Sequence, residues 1–118
     1  MMPPTVLIVD DEQPLTDVIR LLMEDLGHRA VTAANGVEAL EIARREKPDL
    51  VISDIMMPLM PGDELCRRLK REVDDGLKVV LMSAAGARRA EGTGADAFVN
   101  KPFDLETVED IVRRLLDD

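Results

Sequence analysis

The apolar runs Val6-Leu7-Ile8-Val9 and Val79-Val80-Leu81-Met82 constrain this chain more than any other feature, because neither alternates with polar residues. An alternating strand can face water on one side, whereas an unbroken, β-branched-rich run needs cover on both faces, as in a parallel sheet between layers of helices. Leu50-Val51-Ile52-Ser53 is a third such run, and the shorter segments Arg29 to Ala33 and Ala97 to Val99 supply the second and fifth strands in chain order. Between the strands lie apolar stripes at helical spacing. The first holds Leu15, Val18, Ile19, Leu22, Met23 and Leu26, starting at Pro14 and stopping at Gly27. The second, over about 37–45, turns Val37, Leu40 and Ala43 inward and ends by Pro48. A third follows a cap at Asp63 with Leu65, Leu69 and Val73, and the last carries Leu105, Val108, Ile111, Val112, Leu115 and Leu116. Strands alternating with helices predict an α/β fold with a parallel sheet and right-handed crossovers. The 118 residues suit one domain over 1–118 with a core of its own.

One stretch breaks the alternation. Gly86, Gly92 and Gly94 interrupt Ala84 to Asp96, and each glycine costs about 1 kcal/mol in a helix interior. Only Ala87 to Glu91 has helical character, so any helix there is short and marginal. Composition then narrows the function classes. A net charge of −9 and a pI near 4.6 disfavour direct binding to nucleic acid, which depends on clustered Lys and Arg. The single cysteine, Cys66, has no partner for an internal disulfide and reads as core filler on a helix, which suits a reducing compartment. No apolar stretch approaches the roughly 18 residues of a membrane span, and Met1-Met2-Pro3-Pro4-Thr5 lacks the basic start of a signal peptide. A soluble, cytoplasmic protein is expected.

The chemistry-bearing residues cluster at strand ends. A parallel sheet brings the carboxyl ends of its strands to one edge, so Asp10, Asp11, Asp54, Ser83 and Lys101 can form one site despite their separation in sequence. Clustered carboxylates repel and are driven toward protonation unless a cation joins them, and a hard divalent ion such as Mg²⁺ takes oxygen ligands of this kind. With it, Asp54 can act as a nucleophile on phosphorus and form an acyl phosphate. Lys101 offsets the developing charge and Ser83 hydrogen-bonds a phosphoryl oxygen. Taken singly, Asp11 reads as an N-cap, Asp54 as a turn cap, Ser83 as structural and Lys101 as a solvated charge. Their convergence at one sheet edge favours the functional reading. His28, the lone histidine, reads as a surface-turn residue. Met56, Met57 and Met60 read as packing under the loop before the third helix, Gly92-Thr93-Gly94 lacks the context of a phosphate loop, and Glu38, Glu41, Arg44 and Arg45 read as an exposed, charge-paired helix face.

Val9-Asp10-Asp11-Glu12, Ser53-Asp54-Ile55-Met56-Met57-Pro58, Met82-Ser83-Ala84 and Phe98-Val99-Asn100-Lys101-Pro102-Phe103 together resemble the receiver domain of two-component response regulators, over essentially the whole chain. The resemblance implies a flavodoxin-like three-layer αβα sandwich with strand order 2-1-3-4-5. It implies Asp54 as phosphoacceptor, Asp10, Asp11 and Asp54 as Mg²⁺ ligands with the Met56 backbone carbonyl, and Lys101 as the phosphate-binding lysine ahead of a cis bond to Pro102. Ser83 and Phe98 take the switch positions. The phosphoryl donor would be a histidine kinase or histidine phosphotransfer protein and the reader another protein, with the chain a monomer or weak dimer. The chain departs from the family in one respect. The interval from Ser83 to Lys101 is about four residues short, close to one helical turn, so the fourth helix is expected to be truncated or irregular. The chain also ends directly after its last helix, which fits a stand-alone receiver or a fragment of a larger regulator.

Two other readings compete. A phosphatase of the haloacid dehalogenase type also uses an aspartyl nucleophile and Mg²⁺, but it would want a second Asp two residues after the first, where Asp54 is followed by Ile55 and Met56. A phosphorylation-independent interaction module would keep the fold and lose the site, which the intact Asp10, Asp11, Asp54 and Lys101 oppose. Met56 and Ala85, which resemble the receiver family's positions flanking the phosphorylated site, offer no carboxylate or amide to orient an attacking water, so slow self-dephosphorylation is expected.

Overall fold

The computed structural model describes residues 2–117. Five parallel strands, β1 (Thr5–Val9), β2 (Arg29–Ala33), β3 (Leu50–Asp54), β4 (Lys78–Ser83) and β5 (Ala97–Asn100), form one sheet in the order β2-β1-β3-β4-β5. Helices α1 (Gln13–Asp25), α2 (Gly36–Glu46), α3 (Gly62–Glu72) and α4 (Leu105–Leu116) cover its faces. The unbroken runs explain the layering, since successive strand residues point to opposite faces. Leu7, Val9, Val51, Val79 and Leu81 pack with Leu40, Ala43, Leu65 and Leu69 of α2 and α3. Val6, Ile8, Ile52, Val80 and Met82 pack with Ile19 and Met23 of α1 and Val108 and Val112 of α4. The architecture is the flavodoxin-like sandwich that the family resemblance implies.

Strand register sets up the site. Val9 lies opposite Ser53, so Asp10 and Asp54 follow at neighbouring strand ends, and Ser83 lies opposite Asn100, with Lys101 next. The ladder continues just past the strands, with Ile55 N–H donating to Met82 O at 2.9 Å and Lys101 N–H to Ser83 O at 3.0 Å. The peptide bond between Lys101 and Pro102 is cis, as the resemblance implies.

Helix ends follow local chemistry. Gly27, at φ +90, closes α1 in a Schellman arrangement, its N–H bonded to Glu24 O and the His28 N–H to Met23 O, each at 3.0 Å. Asn35 caps α2 by accepting from the Glu38 N–H at 2.8 Å, and Asp104 caps α4 by accepting from the Thr107 N–H at 2.8 Å. The expected cap at Asp63 is not formed. Helix α3 starts two residues earlier than that cap implies, at Gly62 behind Pro61, and Asp63 lies in the first turn, leaving its carboxylate for another partner.

Other expectations are corrected in detail. Val37 is exposed, because the buried stripe of α2 runs through Gly36, Ala39, Leu40, Ile42 and Ala43; Val18 and Leu105 are also exposed at the edges of their stripes. Among the charge pairs of α2, Arg45 stays on its own helix with Glu46, while Arg44 reaches out to α3. Arg44 joins Arg68 and Arg71 of α3 around Glu72, and those guanidiniums, Arg68 foremost, pull its carboxyl down to about 2. Cys66 is buried in α3 as expected, and burial raises its thiol pKa. Met57 and Met60 pack under the loop, but Met56 is 55% exposed and belongs to the site instead.

The segment after β4 is short and irregular, as its glycines imply. Only a 3-10 turn forms, over Arg88–Ala90. Buried Thr93 takes over the ordering, its hydroxyl donating to Ala90 O at 2.6 Å and accepting from the Ala95 N–H at 3.2 Å.

Gly62 joins the fold to the site. A Cβ there would lie 2.2 Å from the Asp54 carbonyl oxygen and 2.9 Å from the Ile55 Cα, with only backbone to yield. Gly62→Ala is therefore expected to cost about 1–3 kcal/mol, the usual range for overpacking, and to shift the Asp54 backbone. Gly76→Ala, whose nearest neighbour is a side-chain oxygen at 3.4 Å, is expected to cost less; urea unfolding of the two variants measures both.

Candidate functional site

Lys101 ties the strand ends together. Its ammonium donates to Asp10 Oδ2 at 3.0 Å, to Asp54 Oδ2 at 3.1 Å and to Glu12 Oε1 at 3.5 Å, bridging the ends of β1 and β3 from beyond β5. Asp10 and Asp54 are buried, at 3% and 5% exposed. Each carboxylate is also met by backbone. The Glu12 N–H donates to Asp10 Oδ1 at 2.9 Å, and the Met56 N–H approaches Asp54 Oδ1 at 3.4 Å.

The electrostatics follow from this burial. Desolvation raises the Asp10 pKa, and the bonds from Glu12 N–H and Lys101 only partly oppose it. Burial also works against the Lys101 ammonium, but its bonds to Asp10 and Asp54 outweigh that and hold its pKa above the usual lysine value. Carboxylate oxygens of Asp10, Glu12 and Asp54 lie within 4.8 Å of one another, three acids against one shared lysine. A donor set of hard oxygens with surplus negative charge is what a divalent cation such as Mg²⁺ fits.

The residues expected from the sequence are placed unevenly. Asp10, Asp54 and Lys101 are in direct contact. Asp11 is exposed and lines the cleft of about 400 Å³ over Asp54, together with Glu12, Met56, Ala84 and Lys101. It does not cap α1, whose N-cap is Glu12 without a side-chain bond. Ser83 is buried at the end of β4, with its Oγ accepting from the Ala85 N–H at 3.0 Å and no bond to Asp54. Phe98 is half-buried against the α2/α3 side of the core. His28 sits in the turn after α1, half-buried, with Nδ1 unpartnered.

Sequence reasoning missed two residues. Glu12 reaches the acid cluster, and the only signal for it was the third acid of Asp10-Asp11-Glu12. Arg89 reaches Asp63 and Met56 from the 3-10 turn, a contact made by loop geometry that no periodicity announces.

The family model of the response regulator receiver domain matches residues 6–113. The chain belongs to this family. Among curated relatives, it is similar to sporulation initiation phosphotransferase F of Bacillus subtilis, 34% identical over 120 residues covering 98% of this chain and 96% of that protein. It is 41% identical over 120 residues to response regulator Rre1 of Synechocystis, covering 97% of this chain and 52% of Rre1. The chain thus spans about half the length of several of the curated relatives it matches. Among solved structures, TrrA of Thermotoga maritima in complex with Mg²⁺ and BeF superposes with a TM-score of 0.87 at 30% identity, covering 96% of this chain and 99% of TrrA. Chemotaxis response regulator CheY4 of Vibrio cholerae gives 0.88 at 28% identity, covering 98% of this chain and all of CheY4. The receiver's acidic pocket fits a metal-assisted phosphorylation site, and no helix among the described residues is long and apolar enough to cross a membrane.

The raised pKa of Asp10 has a direct consequence for stability. The folded state binds the Asp10 proton more tightly than the unfolded chain, so stability from this group is full below its ordinary value of 3.8 and is lost as pH rises through the folded value. Asp10→Asn is therefore expected to gain stability over wild type as pH rises to neutrality. Thermal unfolding of both proteins across pH reads this effect.

Proposed function

We propose that this receiver accepts a phosphoryl group on Asp54 and uses it to switch a protein-binding surface. The observation that carries this reading is the Lys101 ammonium held between the buried carboxylates of Asp10 and Asp54. Lys101 engages Asp54 Oδ2, which leaves Oδ1, facing the cleft beside the Met56 N–H, as the nucleophile. Oδ1 forms a bond to phosphorus, and the bond from phosphorus to the donor's nitrogen or oxygen breaks with its electron pair leaving on the donor. Lys101 offsets charge on the transferred group, and Ser83 turns its hydroxyl proton to a phosphoryl oxygen. Phe98 follows the movement of Ser83 and changes the surface at β5.

Asp10 and Asp54 would hold Mg²⁺, with Asp11, Glu12 and the Met56 carbonyl contributing from the rim. Mg²⁺ supplies charge neutralisation at the acid cluster and polarisation of the phosphoryl oxygens. The donor is a histidine kinase or histidine phosphotransfer protein, and the chain is a phosphoacceptor rather than a turnover catalyst. The relatives support this, since one is itself called a phosphotransferase and another was solved with Mg²⁺ and BeF.

Incubation with Mg²⁺ and acetyl phosphate is expected to give a base-labile adduct on Asp54 by mass spectrometry. Chelation of Mg²⁺ or Asp54→Ala should abolish it, and an equal adduct on Asp54→Ala would overturn the assignment. Met56 and Ala85 present no group to orient water, so the adduct is expected to persist for minutes or longer after the donor is removed. Decay within seconds would contradict that expectation.

A further inference from the structure

Arg89 comes from the glycine-broken connection between β4 and β5. Its guanidinium grips Asp63 as a fork, Nε to Oδ2 and Nη2 to Oδ1, both at 3.0 Å, while Nη1 lies 3.1 Å from the Met56 sulfur. Met56 is also a wall of the Asp54 cleft, and together with Asp11 it separates that cleft from a neighbouring one of about 370 Å³ that Arg89 lines. Met56 therefore touches both groups, its backbone N–H at Asp54 Oδ1 and its exposed, flexible thioether against the guanidinium.

An aspartyl phosphate would raise the charge at Asp54 from one toward two and add acceptor oxygens. Lys101 is already shared among Asp10, Glu12 and Asp54. Arg89 is the other cation lining the two clefts. A guanidinium fork suits a phosphoryl group at least as well as it suits the single carboxylate of Asp63.

On the reading that Asp54 is the phosphoacceptor, we propose that Arg89 exchanges Asp63 for the phosphoryl group on Asp54. Arg89 then acts as a second, mobile phosphoryl ligand beside Lys101, with Asp63 its competitor in the resting protein. Met56 rotates aside, and the 3-10 turn that carries Arg89 is drawn toward the cleft. That turn is linked through Ala90 and Thr93 to Cys66 of α3, so the movement reaches α3, in a chain whose β4–β5 connection forms no α-helix.

The test is a titration with beryllofluoride in the presence of Mg²⁺, followed by fluorine NMR, on wild type, Arg89→Gln and Asp63→Asn. Both substitutions break the same ion pair, so a contact that merely holds the loop in place would shift affinity in one direction for both. Exchange demands opposite signs. Arg89→Gln should weaken beryllofluoride binding about tenfold, the worth of one charge-assisted hydrogen bond, whereas Asp63→Asn should tighten it by removing the competitor. Shifts of the same sign, or an unchanged affinity in Arg89→Gln, would overturn the exchange while leaving Asp54 as phosphoacceptor. Wild type that binds no beryllofluoride would overturn the phosphoacceptor reading and the exchange with it.

Discussion

Because the central strands β1, β3 and β4 are covered on both faces, a polar group belonging to them can be hydrated or paired only at their ends. The helices on either side seal the middle of the sheet with Leu, Ile, Val and Met, where an unpaired carboxylate would be prohibitively costly. The carboxyl edge therefore collects Asp10, Asp54, Ser83 and Lys101, and parallel strand direction brings them to the same edge. The site is a consequence of the fold's hydrophobic economy, placed where the strands run out of cover.

Burying two carboxylates side by side at that edge requires positive charge, and Lys101 provides it from beyond β5. One ammonium shared among three acids leaves a negative surplus. Burial raises the Asp10 pKa in the protein alone, and the surplus of acids makes the pocket receptive to a divalent cation and to the phosphoryl chemistry such a cation assists. Some stability is thus given up at Asp10, a common pattern in sites that concentrate like charges.

The β4–β5 connection shows how a local sequence departure is absorbed. Glycines and a shortened interval prevent an α-helix, yet the segment is ordered by buried Thr93, by the Lys70–Asp96 pair at 2.8 Å and by the fork of Arg89 on Asp63. These contacts fasten the connection to α3. Side-chain hydrogen bonds and ion pairs have taken over the ordering that backbone helix bonds would otherwise supply.

The sequence by itself determined the alternation of strands and helices, the burial of the sheet and the identity of the strand-end acids and lysine. Unbroken apolar runs and 3.6-residue stripes are local properties that survive without knowledge of neighbours. The strand order was legible only through the resemblance of the motifs to a known family. What tertiary structure decided were contacts between segments distant in sequence: Glu12 rather than Asp11 reaching Lys101, Asp63 abandoning its cap for Arg89, and Met56 lying exposed beside that arginine rather than packing under its loop. Each depends on a loop path and a side-chain rotamer, set by which partners the folded chain brings within a few ångströms. Spacing along the chain carries no record of them.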